Sequence, residues 1–279
     1  MKYTSRCLGF IACCVAFVAH AADLDRIADI AYGSDSEQRL DIYRPHKVEG
    51  APTIFMVHGG GWRVGDKATG RVVDNKVARW LPEGYLLVSI NYRMLPELDG
   101  LQQADDVARA LAFAQAHAAE YGGNPDKFIL MGHSAGAHLV ALLSADPERA
   151  YKFGAKRWLG TVVLDSAALD LPALMRRRHL PLYDAAFGSD PNTWAAASPI
   201  DVLTREAPPM FIVCSTRRRD HPCDQANEFA AKAKSLGVGV QVRGENLTHR
   251  QVNEELGLPG PYTHAVDKFI ASLTNSSRR

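Results

Sequence analysis

The sequence is poor in cysteine, almost neutral in net charge and free of long apolar runs. It has five cysteines in 279 residues, and 32 basic against 31 acidic side chains. This balance gives no reason to expect binding to nucleic acid or to an acidic membrane surface. HExxH and CxxC patterns are both absent, so neither a metal nor another cofactor is expected. With 47% hydrophobic and 23% charged residues, the composition is typical of one sizeable globular α/β domain.

The first 21 residues have the pattern of a secretory signal peptide. Lys2 and Arg6 precede an apolar run at positions 8–18, which is too short for the roughly 20 residues of a membrane span. Ala19-His20-Ala21 then has the A-x-A form of a cleavage site. We expect export, to the periplasm or the medium, after cleavage near Ala21. The mature chain would keep 30 basic and 31 acidic side chains, with no segment inserted in a membrane.

Three of the five cysteines lie in this leader, which leaves Cys214 and Cys223 in the mature chain. An exported protein that keeps two cysteines so close together is expected to pair them, because thiols oxidise outside the cytoplasm. Two unrelated buried thiols are the alternative.

An apolar run at positions 128–131 ends in a G-x-S-x-G pentapeptide centred on Ser134, and a helical pattern follows. This order predicts a strand, a sharp turn and a helix. A serine hydroxyl is a weak nucleophile, so it has to project where a base reaches one side and a carbonyl carbon the other. Gly132 and Gly136 leave room for such a turn. Ser134 is therefore the candidate nucleophile.

A second element, His58-Gly59-Gly60-Gly61-Trp62, follows the apolar run at positions 53–57. A buried strand that runs into three glycines places bare backbone N–H groups at its end, where they can bind a developing oxyanion. A phosphate-binding loop is the other interpretation, but the G-x-x-x-x-G-K-[ST] pattern is absent.

Together these elements resemble those of α/β-hydrolases of the esterase and lipase group with an HGGGW oxyanion loop. The chain is similar to bacterial feruloyl and acetylxylan esterases and to kynurenine-formamidase-like enzymes. The likeness extends over about residues 38–272, and the matching stretches are residues 58–62, 91–93, 122–125, 132–139 and 198–199. The resemblance implies the α/β-hydrolase fold and a serine hydrolase of the carboxylesterase type. It also implies an oxyanion hole formed by the backbone N–H groups of Gly60, Gly61 and Ala135.

The rest of the chain alternates strand and helix patterns, which predicts a doubly wound, mostly parallel sheet with helices on both faces. Strands are predicted at 39–44, 53–57, 85–90, 128–131, 159–164, 209–213 and 238–243, and helices at 71–81, 101–120, 135–144, 224–236 and 262–273. Residues 166–200 fit no period and read as an irregular, cap-like insertion over the strand ends. We expect a single domain over residues 22–279.

The base and acid of a catalytic triad are expected after later strands of this fold, in the chain order Ser, Asp, His. His249 lies in a predicted loop after the last strand and is the expected base. Similar enzymes usually have a small residue directly after this histidine, where this chain has Arg250.

Two aspartates, Asp220 and Asp224, follow the strand at 209–213 and are candidates for the acid. Asp220 is favoured because the predicted disulfide would brace its loop. Asp224 lies at a helix start, where a capping role would explain it. Similar enzymes usually carry the acid earlier in this loop, where this chain has Arg217 and Arg218, so both candidates stay open.

These residues predict hydrolysis of a small ester with a short acyl or an aryl group. Ser134 would attack the carbonyl carbon, His249 would take its proton, and Asp220 would orient the imidazole. An arylformamidase-like amide hydrolase would use the same constellation and is one alternative. A non-catalytic hydrolase-fold binding protein is another, which the unusual acid loop keeps open.

Overall fold

The computed structural model of the protein describes residues 24–276. The expected signal peptide, residues 1–21, lies outside the described residues. Within them, no helix is both long enough and apolar enough to cross a membrane.

Eight strands form one sheet in the described chain. They are β1 (Leu24–Ala31), β2 (Arg39–Pro45), β3 (Ala51–Val57), β4 (Leu86–Ile90), β5 (Gly123–His133), β6 (Gly160–Leu164), β7 (Met210–Ser215) and β8 (Val240–Glu245). Their spatial order is β1-β2-β4-β3-β5-β6-β7-β8. The pairs β1–β2 and β2–β4 are antiparallel, and every other neighbouring pair is parallel. The predicted mostly parallel sheet is confirmed. The edge strand β1, whose side chains are half exposed, was not predicted.

Ten α-helices connect or flank these strands in the described residues. They are α1 (Gly70–Trp80), α2 (Gly100–Ala116), α3 (Ala135–Ala145), α4 (Glu148–Tyr151), α5 (Leu171–Met175), α6 (Pro181–Phe187), α7 (Pro191–Ala196), α8 (Pro222–Ser235), α9 (His249–Glu254) and α10 (Pro261–Ser276). A short 3₁₀ helix, Ala118–Tyr121, follows α2.

The central strand β3 shows why the inner strands are continuous apolar runs. Phe55 and Val57 pack in the core that α2 and α3 share, whereas Ile54 and Met56 pack in the core formed with α1 and α10. All four side chains are completely buried. Successive strand residues point to opposite faces, so a strand covered by helices on both sides needs apolar residues at every position. This layering confirms the predicted α/β-hydrolase fold.

The insertion at residues 166–200 is more regular than the sequence predicts, because it contains the three short helices α5, α6 and α7. Each has a proline in its first turn. Proline interrupts a helix interior but suits the first turn, where its missing N–H has no intrahelical partner to lose. In α5 and α7, Asp170 and Asp190 also cap the free N–H groups. These prolines therefore mark helix starts.

The structure contains the predicted disulfide between Cys214, in β7, and Cys223, in the first turn of α8. Its closed loop includes Arg218 and Asp220. Reduction is expected to lower the free energy of unfolding by roughly 2 to 3 kcal/mol, because the denatured chain regains the entropy of an open loop. Urea unfolding with and without dithiothreitol measures this difference. The Cys214→Ala/Cys223→Ala variant should not respond to the reductant, and two thiols titrating in the denatured, unreduced protein would contradict the pairing.

Candidate active site

Ser134 lies at the sharp turn between β5 and α3, with φ 56° and ψ −117°. This left-handed φ is unfavourable for a residue with a side chain, and such strain persists only where the surroundings impose it. Here the backbone N–H of Ser134 donates to Leu164 O at 2.9 Å. The turn is also closely packed, because a Cβ on Gly132 would lie 2.3 Å from Gly136 O, and one on Gly136 would lie 2.3 Å from Val57 O. Both positions thus need glycine, because neighbouring backbone atoms occupy the space that a Cβ would fill.

Gly132→Ala is expected to destabilise the protein by about 3 kcal/mol, the upper end of the range for overpacking, because rigid backbone has to move. Gly239→Ala is the matched control: its Cβ would have only Pro209 Cβ nearby, at 4.0 Å. The control should stay within about 1 kcal/mol of wild type. Urea unfolding of the two variants tests this, and equal stabilities would show that the turn is not tightly packed.

His249 lies within hydrogen-bonding distance of Ser134, as the sequence predicts. Its Nε2 is 2.9 Å from Ser134 Oγ. Its Nδ1 is 2.6 Å from Asp165 Oδ2, and the salt bridge between these side chains involves a carboxyl group with no exposed surface. A proton on Nδ1 that is donated to Asp165 leaves Nε2 free to accept the hydroxyl proton of Ser134. These three side chains therefore form a continuous hydrogen-bonded chain, which is the arrangement that a Ser-His-Asp triad requires.

The acid in this arrangement is Asp165, so the predicted contact of Asp220 with His249 is wrong. Asp220 is exposed and forms its ion pair with Arg218. Asp224 is exposed in the first turn of α8 and is not bonded to His249 either. Asp165 follows β6 instead of β7. Its position directly after a buried strand is the sequence signal that could have identified it. The sequence-based assignment missed it because the family pattern places the acid after the next strand.

The Asp165 carboxylate is held from three sides. Oδ1 accepts the backbone N–H of Ser215 at 2.7 Å, and Arg218 Nη1 donates to Oδ2 at 3.1 Å. Burial by itself would raise the pKa of Asp165, but the hydrogen bond from His249 and the charge of Arg218 outweigh it, and the pKa is lowered. The carboxyl group is therefore ionised at neutral pH, as required to stabilise an imidazolium.

Arg218 occupies part of the loop where similar enzymes carry the acid. Its Nη1 also lies 3.1 Å from His249 Nδ1 and donates to the backbone carbonyl of Asp165 at 3.1 Å. Only 18% of its side chain is exposed, and it forms ion pairs with the carboxylates of Asp165 and Asp220. Arg218 is thus ion-paired.

Contacts at the start of helix α9 and within it position His249. It is the first residue of α9, a helix that the sequence analysis took for a loop, and Thr248 caps that helix through a reciprocal pair with Gln251. The buried Lys76 Nζ donates to Asn253 O and Oδ1 at 2.8 and 2.9 Å, and this ties α9 to α1. Burial lowers the pKa of Lys76 to about 7.

His133 and His138, which flank the nucleophile, bond to neighbouring protein groups and not to Ser134. His133 Nε2 donates to His249 O at 2.9 Å, and the two rings are 4.6 Å apart. His138 lies between Trp62 Nε1, at 3.3 Å, and Ala197 O, at 2.8 Å. Burial lowers the pKa of His133 to about 3 and that of His138 to about 4. Both rings are therefore neutral.

Trp62, which ends the glycine loop after β3, is fixed by contacts of both its backbone and its ring. This tryptophan has φ 59°, and its carbonyl accepts from Leu95 N and from Gln103 Nε2, each at 2.9 Å. Its ring packs on Tyr183 and Phe187. The strained backbone is thus fixed from several directions, as strain at functional sites generally is.

The three predicted oxyanion donors lie in the same cleft as Ser134. Gly60 and Gly61 have φ values of 133° and 59°, conformations that glycine adopts readily. Ala135 is the first residue of α3, so its N–H has no partner within the helix. Within residues 24–276, none of these three N–H groups donates a side-chain hydrogen bond or a loop backbone bond. They remain free for a substrate oxygen.

Ser134, Asp165 and His249 open into a cleft of about 1550 Å³, beneath α5 and α6 of the insertion. Its walls combine apolar side chains such as Leu174, Leu182 and Tyr183 with charged ones, and this suits a small organic molecule with a polar group. The described part of the chain has no group of three or more His, Cys, Asp or Glu residues that could hold a metal ion.

Comparison with known proteins finds one family and several named esterases to which this chain is similar. The profile of the BD-FAE family matches residues 40–233. The probable carboxylic ester hydrolase LipM of Mycobacterium tuberculosis (strain ATCC 25618 / H37Rv) is 31% identical over 264 residues, covering 88% of this chain and 61% of LipM. Esterase LipQ of the same organism is 32% identical over 228 residues, covering 76% of this chain and 54% of LipQ. The chain therefore spans little more than half the length of these relatives.

A solved structure supports the fold. The crystal structure of esterase B from Lactobacillus rhamnosis (HN001) has a TM-score of 0.71 with 20% identity, covering 91% of this chain and 87% of that chain. At this identity the likeness concerns the fold alone. The sheet order, the serine turn and the BD-FAE match over well over half of the sequence agree: this chain belongs to the BD-FAE family of esterase-type α/β-hydrolases.

Proposed function

We propose that this protein hydrolyses carboxylic esters of small molecules through an acyl-enzyme intermediate. The observation that carries the proposal is the chain of hydrogen bonds from Asp165 through His249 to Ser134, at 2.6 and 2.9 Å. Its position in a cleft that also contains unpaired backbone N–H groups adds support. The names of LipM and LipQ agree with this chemistry.

In the first step, His249 Nε2 accepts the hydroxyl proton while Ser134 Oγ bonds to the ester carbonyl carbon. The carbonyl oxygen becomes an oxyanion, which the N–H groups of Gly60, Gly61 and Ala135 bind. Collapse of this intermediate breaks the bond to the alcohol, which takes the proton from His249. Asp165 keeps the imidazole in the required tautomer and stabilises its charged form.

In the second step, water attacks the acyl-enzyme, and His249 accepts the water proton. A second oxyanion forms in the same hole and collapses with departure of Ser134 Oγ, which regains the proton from His249. The acid product leaves, and the site returns to its starting state.

We further propose that the protein acts outside the cytoplasm, as one domain with the insertion at 166–200 as a cap over the cleft. The Cys214–Cys223 disulfide supports export, because such bonds persist in oxidising compartments. Secretion of a reporter fused after residue 21 tests the leader, and retention of the reporter in the cytoplasm would contradict it.

A panel of p-nitrophenyl esters tests the proposed activity. We expect the purified, oxidised protein to hydrolyse short-acyl esters, and the rate to fall as the acyl chain outgrows the cleft. Absence of hydrolysis on this panel and on aryl and feruloyl esters would contradict the proposal, and formamides would then be the next substrates to test.

A further inference from the structure

The charged residues of the cleft are unevenly distributed. Its lining includes six arginines and four acidic residues, although the mature chain as a whole is balanced. The arginines are Arg71, Arg177, Arg178, Arg218, Arg219 and Arg250. The acids are Asp66, Asp165, Asp220 and Glu254. A cleft with an excess of one sign concentrates ligands of the opposite sign.

Among the described residues, ion pairs account for two of these arginines, Arg218 and Arg250. Arg218 is paired with Asp165 and Asp220, and Arg250 with Glu254. Within residues 24–276, no carboxylate lies in salt-bridge contact with Arg177, Arg178 or Arg219. All three of these side chains are exposed to solvent at the cleft.

These three arginines belong to two segments of the cleft mouth. Arg177 and Arg178 connect α5 to α6, and Arg219 lies in the disulfide-closed loop after β7. Tyr183 links the two segments, because its phenol is within electrostatic range of both Arg177 and Arg218. The guanidinium groups of the insertion and of the β7 loop thus line the same cleft as Ser134.

Guanidinium groups suit a bound carboxylate. Each presents several N–H donors in a planar fork that matches two carboxylate oxygens, and its charge does not titrate at working pH. Like charges that line one cleft repel each other, and a bound anion offsets that repulsion. The adjacent Leu180 and Leu182 provide apolar surface for the carbon chain that separates the anion from the ester.

We propose that Arg177, Arg178 and Arg219 form an anion subsite, and that the substrate is an ester that carries a carboxylate away from the scissile bond. This inference rests on the proposed esterase function and specifies its substrate class. The carboxylate belongs either to the alcohol portion or to the acyl portion, and matched substrates distinguish the two.

Two substrate pairs measure the effect. 4-Acetoxybenzoate and its methyl ester differ by a charge on the leaving group, and monomethyl and dimethyl adipate differ by a charge on the acyl side. For each pair the quantity measured is the ratio of kcat/KM for the anionic ester to that for the neutral ester. We expect Arg177→Gln/Arg178→Gln to lower this ratio about tenfold in one pair, the low end of electrostatic steering effects. Arg219→Gln should lower the ratio in the same pair.

Arg176→Gln and Arg217→Gln are the matched controls, because both arginines are exposed neighbours that do not line the cleft. They should keep the wild-type ratio. Raising the salt concentration from about 0.1 M to 1 M, which shortens the screening length from about 10 Å to 3 Å, should lower the ratio in wild type, and should lower it less in the double variant, which keeps only Arg219 of the three.

Ratios that are equal in wild type, cleft variants and controls would overturn the anion subsite while leaving the esterase function intact. A double variant in which both members of each pair slow by the same factor would overturn it as well. If wild type hydrolyses none of the four paired esters and none of the p-nitrophenyl esters, the esterase function is overturned, and this inference with it.

Discussion

Replacing Ser134 with alanine is expected to lower kcat for a short-acyl ester by about 10⁶-fold, the loss that removal of a triad serine causes in other hydrolases. The reason is that no other group in the arrangement can form the acyl-enzyme. Stability should change by less than about 1 kcal/mol, because alanine keeps the Cβ and backbone conformation of this turn. Ester kinetics and urea unfolding of the same preparation measure both quantities.

The exposed Ser235, at the end of α8, provides a control, because Ser235→Ala removes a hydroxyl outside the cleft. This variant should keep wild-type kcat. Retention of more than about 1% of activity by Ser134→Ala, against the expected 10⁶-fold loss, would show that another group performs the reaction.

Asp165→Asn is expected to lower kcat by about 10⁴-fold, as loss of the triad acid does in other serine hydrolases. An amide can donate to Nδ1 of His249, and this favours the tautomer whose Nε2 carries a proton and cannot accept one from Ser134. The amide also cannot balance the charge of the imidazolium. The measurement is kcat for the same ester at a pH where the wild type is fully active.

Two aspartates that follow β7, Asp220 and Asp224, are the controls for this second prediction. Asp224→Asn should leave kcat unchanged, because its side chain is exposed at the start of α8. Asp220→Asn should have at most about a tenfold effect, because within residues 24–276 this exposed carboxylate reaches the triad through Arg218, which keeps its own contact with Asp165. An Asp220→Asn loss as large as that of Asp165→Asn would return the role of the acid to Asp220.

The sequence predicts most of the sheet because its signals are local. A strand that is covered on both faces, such as β3, is apolar at every position, and the serine turn has its own glycine pattern. The edge strand β1 escapes this reasoning because only one face is partly covered and its side chains are half exposed. Helix α9 was missed because six residues are too few to show a helical period, although the Thr248 and Gln251 capping pair was present in the sequence.

The candidate site is predicted in part for a topological reason. Parallel strands end at one edge of the sheet, so the residues after β3, β5, β6 and β8 meet there, as Gly60, Ser134, Asp165 and His249 do. Chain order alone does not say which of two neighbouring strands carries the acid. The three-dimensional contacts show which strand carries it: the buried Asp165 after β6 bonds to His249, and Arg218 after β7, 53 positions away in the sequence, bonds to Asp165.

The proposed mechanism depends most on a covalent intermediate at Ser134. The direct measurement is mass spectrometry of the protein after reaction with diethyl p-nitrophenyl phosphate, with Ser134→Ala treated in parallel. We expect the release of one equivalent of p-nitrophenol and the appearance of one diethylphosphoryl group on the peptide that contains Ser134. Ester hydrolysis should be lost in proportion to this labelling, and the Ser134→Ala variant should carry no adduct. Full inactivation with the adduct on another residue, or full ester turnover with Ser134 modified, would contradict the proposed mechanism.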